Sequence, residues 1–454
     1  MMRRGRAAGN RPSIPWGRLS VYLLGVFLGA LDTNVLGPVF PLLMHAFRTS
    51  LAWVAWTVTV YTVAYVAGTV LFGAWGDRAG HRRVFAWGIL GFGVASVIAA
   101  VSPSLPVFLV ARMVQGAAAG AVYPNAQAEG LGHFPPERKG LALGIFGAAF
   151  GVASIIGPTL GGALGQVFGW PAVFLLNAPL AVVVLLLLVR RVPGSAPLPR
   201  RVPDPYGAAA FAVTVSSVLL GVTVGGAARW AFAVPAVAGA AVFWVRQRGA
   251  RTPFLDTRPL VGAAGVVLVA VAAVVGFDMS AAVFVPTVAQ RILHFGVLGS
   301  GAALLPAAFA GAALAGVGGH LCDRIGSRPV LIMGLAAGLV GALLLAAPSL
   351  TFARFIVSMV FFGVGTAFTM GAPLNRMGVA LYRADQTAEA LSLMAVFRSV
   401  GLAAGPVVLT AAAARQGFSG MFMTVAVVSA AAGLLLLIVR GAFRAASDAP
   451  PRSA

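Results

Sequence analysis

Three side chains combine types and spacing suited to carrying a proton through an apolar medium: Asp32, near the middle of one long apolar run, and Arg112 and Gln115, three residues apart inside another. A carboxyl is a simple proton carrier, and burial and a neighbouring guanidinium pull its proton affinity in opposite directions, so the two together can hold it near neutral pH. Residues at i and i+3 share a helix face, which sets Arg112 beside Gln115. An arginine inside a span costs about 2.5 to 3.5 kcal/mol, so Arg112 is expected to face a cavity or a carboxylate; the competing reading is that it snorkels to the interface. Asp278 is a second carboxyl in mid-run, readable also as a structural residue neutralised by a hydrogen bond. Glu129 and Glu389 lie close to the ends of their runs, where an acid is cheap, and are weaker candidates.

The elements that hold these residues must be membrane helices. With 59% hydrophobic and 9% charged residues and a mean hydropathy of +0.94, the chain is too apolar for a soluble globule. Its apolar runs have roughly the 20-residue length that crosses a bilayer core of about 30 Å, and backbone groups in lipid must be satisfied within each span, which predicts an all-α polytopic protein. The runs place spans at about 19–44, 51–75, 84–102, 105–129, 138–166 and 171–189, then 207–225 and 229–245, then 260–290, 297–320, 328–347, 352–374, 386–412 and 418–440, which makes fourteen. The expected organisation is a tail at 1–18, a six-helix bundle at 19–189, a linker rich in proline and arginine at 190–205, a two-helix insert at 206–246, a second linker at 247–259, a second six-helix bundle at 260–440 and a tail at 441–454.

A formal charge of +21 would point to nucleic acid in a soluble protein. Here the charges are sorted by side. Arg78, Arg82, Arg83, Arg138, Lys139, Arg190, Arg191, Arg246, Arg324, Arg328 and Arg440 fall in one set of alternating segments, with few basic residues in the other. That asymmetry predicts both termini in the cytoplasm of a cell membrane, and basic contacts with anionic lipid in place of nucleic acid.

The chain is also duplicated. Gly73, Asp77, Arg78, Gly80, Arg82 and Arg83 recur in outline 246 residues later as Gly319, Asp323, Arg324, Gly326 and Arg328, and the same offset carries Asp32 onto Asp278. The duplicated loops are expected to gate or join the two halves, each turning at a glycine. Gly144, Gly147, Gly151, Gly157, Gly161 and Gly162 line one run around Pro158, a smooth surface with a kink, compatible with a seam between moving bundles.

Hydrolase, zinc-protease and phosphate-loop motifs are absent from the sequence, and Cys322 is the only cysteine, so no enzyme activity, metal or cofactor is expected. Paired halves with membrane carboxylates suggest a transporter driven by a proton gradient.

At these residues the chain resembles the major facilitator superfamily, and within it the fourteen-helix drug:proton antiporter branch. Gly73 to Arg83 looks like the superfamily's loop signature, with Trp75 where Leu is usual. Arg112, Gln115 and Gly116 look like the signature that the family links to proton coupling. Gly144, Gly157, Pro158, Gly161 and Gly162 look like its antiporter signature, with Ala153 in place of a further Gly. Leu31, Asp32 and Pro41 resemble the drug-antiporter pattern of the first helix, with Asn34 and Gly37 departing from it. Gly169, Trp170, Phe174, Asn177 and Pro179 resemble the start of helix 6 in the fourteen-helix branch, with Pro171 in place of Arg. The resemblance implies a monomeric secondary transporter that exports lipophilic drugs or other small molecules against protons by alternating access. A narrow carrier of one metabolite or lipid is the alternative, and a membrane-embedded enzyme or sensor the least favoured reading.

Overall fold

The computed structural model describes residues 16–132, 139–192, 204–223, 226–249, 260–370, 372–382 and 387–439. The first half contains α1 (Trp16–Asn34), α2 (Phe40–Ala46), α3 (Leu51–Ala79), α4 (His81–Ala100), α5 (Leu105–Gly132), α6 (Lys139–Phe168), α7 (Trp170–Leu175) and α8 (Asn177–Arg191). Next come α9 (Pro205–Thr223) and α10 (Ala233–Gly249), which pack on each other. The second half contains α11 (Ala263–Ala282), α12 (Val285–Ile292), α13 (Val297–Ala302), α14 (Leu305–Ile325), α15 (Ser327–Ala346), α16 (Phe352–Met370), α17 (Ala372–Ala380) and α18 (Thr387–Ile438).

Among the described residues, twelve helices are long and apolar enough to cross a membrane, fewer than the fourteen expected. Two places account for the difference. Among the described residues the apolar stretch of α9 runs from Ala209 to Val218, and the last two expected spans join into one apolar helix, Leu393–Ile438. That helix is interrupted where the sequence predicts a gap, at Gln416 and Gly417, the latter with φ +65°.

Several spans are interrupted within their length. The first, Trp16–Ala46, is α1 and α2 joined by a short 3-10 turn at Gly37–Val39, and Ala263–Ile292 is α11 and α12 joined at Val283 and Phe284. Pro38 and Pro41 near the first break and Pro286 at the second lack the N–H that would continue the helix. The two breaks face each other: the ring of Phe40 meets Phe284 edge-on at 6.1 Å, and Gln290 donates to the Pro38 carbonyl at 2.9 Å.

The duplication is visible in the backbone. Gly80 (φ +93°) and Gly326 (φ +87°) each end a helix in a conformation that favours glycine, and each donates its N–H four residues back, to Gly76 and Cys322.

Candidate functional site

Asp32 ends the first segment of its broken span and is fully buried. Its position follows from close packing around the helices on either side. On α5, Gly116 sits against the backbone of Tyr61 on α3, and a Cβ there would overlap the Tyr61 carbonyl. This contact draws α5 onto α3 and brings Arg112, one turn away, over the Tyr61 ring, with its guanidinium carbon 4.3 Å from the centroid. The ring of Phe174 lies 5.6 Å away.

Arg112 Nη1 donates to Asp32 Oδ2 at 2.6 Å and to Gln115 Oε1 at 2.5 Å. Gln115 Nε2 in turn donates to Asp32 Oδ1 at 2.9 Å and to Ser96 Oγ at 2.5 Å. Asn177 Nδ2 completes the set, donating to Asp32 Oδ1 at 2.7 Å and to Ser96 Oγ at 3.2 Å. Five buried polar side chains from α1, α4, α5 and α8 thus form one network, with the carboxylate accepting three hydrogen bonds. Charge is balanced within it, and the ion pair is sheltered from water, where its attraction is strongest. Among the described residues Arg112 Nε and Nη2 have no hydrogen-bond partner; the adjacent aromatic faces supply further contacts to the cation.

The sequence places Asp32, Arg112 and Gln115 as candidates, and the structure brings all three together. Ser96 and Asn177 carry no sequence signal of comparable strength. Asn177 is the first residue of α8, directly after the break at Leu176.

Asp278 lies at the middle of its own broken span, half-buried, and accepts from the Ser429 hydroxyl at 3.0 Å on Oδ1 and 2.9 Å on Oδ2. It does not join the Asp32 cluster. Glu129 lies near the end of α5, about four turns beyond Gln115. Asp77, Gly144, Gly147 and Glu389 occupy described helices, but their surroundings lie outside the described residues.

The duplicated loops hold each half together. Arg82 Nε donates to the Val192 carbonyl at 3.0 Å, and Arg328 Nε donates to the Leu436 carbonyl at 2.8 Å. Each loop arginine caps the last turn of the sixth span of its own half, where a cation opposes the helix dipole. Asp323 pairs with Arg376 at 2.5 Å in an exposed contact, and Arg78, Arg83 and Arg324 are exposed.

The α6 glycines divide between two neighbours. Gly157 and Gly161 press on Asn34 and Val35 at the first-span break, whereas Gly162 presses on Val297 and Leu298 of the other half. Gly301 returns the contact from α13 onto the Pro158 carbonyl, and Gln166 Oε1 accepts from the Leu298 N–H at 3.0 Å. Gly151 meets nothing within 4 Å. The two halves are therefore sealed at the end carrying residues 35–47 and 283–298.

A duplicated bundle of broken spans, sealed at one end and holding a buried carboxylate–guanidinium network, has the features of a membrane transporter. The chain belongs to the major facilitator superfamily: the model described as Major Facilitator Superfamily matches residues 22–406 and, separately, 266–453. It is 32% identical to the multidrug efflux pump LfrA of Mycolicibacterium smegmatis over 79% of this chain and 73% of that one. It is 25% identical to the riboflavin transporter RibZ of Clostridioides difficile over 86% of each chain. Among solved structures, the human organic anion transporter MFSD10 shares the fold with a TM-score of 0.65 at 20% identity, covering 93% of this chain and 100% of that one. The protein is an integral membrane transporter, not an enzyme.

Proposed function

We propose that this transporter exports small molecules in exchange for protons by alternating access. The observation that carries the reading is the Asp32–Arg112–Gln115 network, a proton-accepting group bonded directly to α5 and α8 and through Gln115 and Asn177 to Ser96 on α4. A proton arriving on Asp32 Oδ2 displaces Arg112 Nη1, and the guanidinium stays against Tyr61 and Gln115. Because Gln115 bridges Arg112, Asp32 and Ser96, the displacement passes to α4 and α5 together. Proton release inward restores the pair. No cofactor takes part.

In this reading residues 19–189 and 260–440 are the two moving bundles, the termini are cytoplasmic and the sealed end faces outward. The crossings number fourteen when α9 is counted as a span and Leu393–Ile438 is divided at Gly417, since its 46 residues make about 69 Å of helix, over twice a bilayer core. One proton supplies about 2.3 kcal/mol per 100 mV and about 1.4 per pH unit, together enough to hold a gradient of roughly 500-fold for a neutral substrate. The relative named a multidrug efflux pump favours a broad range of substrates, which this reading takes to be lipophilic and handled by a monomer; the relative named a riboflavin transporter favours the narrower alternative.

Proteoliposomes loaded with a panel of lipophilic dyes test this. Dye movement driven by an imposed pH gradient is the expected result, and well-folded protein that moves no dye under any gradient would refute the multidrug reading.

A further inference from the structure

Among the described residues four hydrogen bonds join the two halves, and all four lie toward the sealed end. Gln290 Nε2 donates to the Pro38 carbonyl at 2.9 Å, Gln166 Oε1 accepts from the Leu298 N–H at 3.0 Å, the Thr59 hydroxyl donates to the Ala403 carbonyl at 3.0 Å, and Arg291 Nη2 reaches Met44 Sδ at 3.6 Å. They are unequal. The Arg291 contact is exposed and ends on a thioether, a weak acceptor. The Gln166 bond is exposed as well, so water competes for it. Thr59 adds a bond to a carbonyl inside α18, where the helix ladder supplies a donor of its own.

Gln290 serves a backbone group that its own half leaves short of a donor. The 3-10 turn at the first-span break sends its N–H groups to the carbonyls of Leu36 and Gly37, and residue 41, three places after Pro38, is a proline with no N–H to give. The Pro38 carbonyl is met instead from across the seam. Ser300 holds the amide in place from Gln290's own half: Gln290 Nε2 also donates to Ser300 Oγ at 2.7 Å, and Ser300, fully buried, donates in turn to the Val297 carbonyl at 2.7 Å. Both amide hydrogens are thereby committed, one to each half.

We propose that Gln290 is the latch of the sealed end, a positioning residue whose bond to Pro38 holds the two halves shut and must be released before this end opens. The inference rests on the alternating-access reading above and names the residue that regulates its gate. The apolar contacts of the same seam, such as Phe40 on Phe284, resist opening without fixing a direction, whereas the hydrogen bond has one geometry. Release leaves the Pro38 carbonyl without a donor until water reaches it. In a protein whose two states differ by a few kcal/mol, one such bond shifts the balance severalfold.

The test is a rate of thiol labelling. Cys322 is the only cysteine, so Cys322→Ser gives a thiol-free chain. Thr287 supplies the reporter position: it is fully buried, its hydroxyl has no hydrogen-bond partner among the described residues, and it lies three residues before Gln290 on the same face of α12. In full-length Cys322→Ser, Thr287→Cys protein in phosphatidylcholine nanodiscs, a charged maleimide reacts at a rate set by the open fraction. Gln290→Leu speeds labelling about fivefold, and Gln290→Glu, which at pH 8 has no N–H to offer, by at least as much. Gln166→Leu speeds it by under about twofold, because its bond is open to water. A second reporter, Ala126→Cys, is fully buried within the first half, away from the seam, and its labelling stays unchanged in Gln290→Leu. Equal Thr287→Cys rates with and without Gln290→Leu overturn the proposal, as does equal acceleration at both reporters, which would mean a general loosening of the fold. Gradient-driven dye export separates the two readings: export with labelling indifferent to Gln290 refutes the latch alone, and labelling that follows Gln290 in a protein that exports no dye refutes the export reading alone.

Discussion

Asp32 and Asp278 occupy corresponding places in the two halves, each at the middle of a broken span, yet their surroundings differ in kind. Asp32 is fully buried and accepts from Arg112, Gln115 and Asn177. Asp278 is half-buried, with the Ser429 hydroxyl as its described donor. At the spacing that relates the two acids, Arg112 falls on Ser358 and Ser96 on Ala342. Ser358 turns its hydroxyl onto the Gly341 carbonyl at 2.7 Å and offers no charge. The frame of the duplication persists, in Gly80 and Gly326 and in Arg82 and Arg328, while among the described residues the charged network lies in the first half. Symmetry therefore accounts for the shape of this molecule, and in the proposed mechanism asymmetry carries the chemistry.

Breaking the ion pair gives the largest expected effect. Arg112→Met leaves a buried carboxylate without its counter-ion and costs about 3 to 5 kcal/mol of stability, whereas Ser358→Ala removes one neutral hydrogen bond and costs about 1 kcal/mol. Thermal unfolding of the two variants side by side measures the difference, and equal losses would contradict the asymmetry. Adding Asp32→Asn to Arg112→Met restores most of the stability without restoring gradient-driven export, because the unpaired charge is gone and so is the proton carrier.

Asn177 sharpens the same comparison. Asn177→Leu removes one of the two donors to Asp32 Oδ1, lowers stability by about 1 to 3 kcal/mol and slows gradient-driven export about tenfold. Ser429→Ala deprives Asp278 of its described donor, with a cost in stability of similar size and export unchanged. A transport defect in Ser429→Ala equal to that of Asn177→Leu would place the second acid in the mechanism.

Legibility in the sequence follows the cost of each residue. Asp32 and Arg112 stand out because a charge in mid-span is expensive, and Gln115 because it shares a face with Arg112. Ser96 and Asn177 do not, since neutral polar residues are tolerated in many helices and nothing in the local pattern ties residues on α4 and α8 to an acid on α1. Asn177 is visible only as part of the motif around Gly169 and Pro179. The span lengths follow from hydropathy, but the break at Val35 and Leu36 does not, because an apolar run reads the same whether its helix is continuous or interrupted. The partners of the loop arginines are not legible: Val192 and Leu436 present carbonyls, which sequence patterns do not identify.

The shared frame supplies a control of smaller size. Arg82→Ala removes a charge-assisted bond to the Val192 carbonyl and Arg328→Ala those to the Leu436 and Leu437 carbonyls, and each is expected to lower stability by about 1 to 3 kcal/mol. Hydrogen exchange at the ends of α8 and α18 reads the loosening, and a strong inequality would show that the two loops have diverged in role.

The smallest effect lies outside both halves. Asp204, before α9, accepts two hydrogen bonds from Arg246 on α10, at 2.9 and 2.8 Å. The Arg246 side chain holds the Asp204 carboxyl below the usual carboxylate range. A depressed folded value means that the contribution is present above the ordinary aspartate range and fades as pH falls through the folded value. Because the arginine is exposed, the expected loss in Asp204→Asn is under about 1 kcal/mol at neutral pH, vanishing in strong acid. A pH series of melting temperatures for wild type and variant checks both size and sign.

The most direct test of the account compares proton uptake on energised export in Asp32→Asn and Asp278→Asn, each folded protein reconstituted in liposomes with a pH-sensitive dye inside. Asp32→Asn is predicted to abolish substrate-dependent proton flux, and Asp278→Asn to keep it within about twofold of wild type. Flux that survives Asp32→Asn, or that disappears in Asp278→Asn, would contradict the claim that one half alone carries the proton.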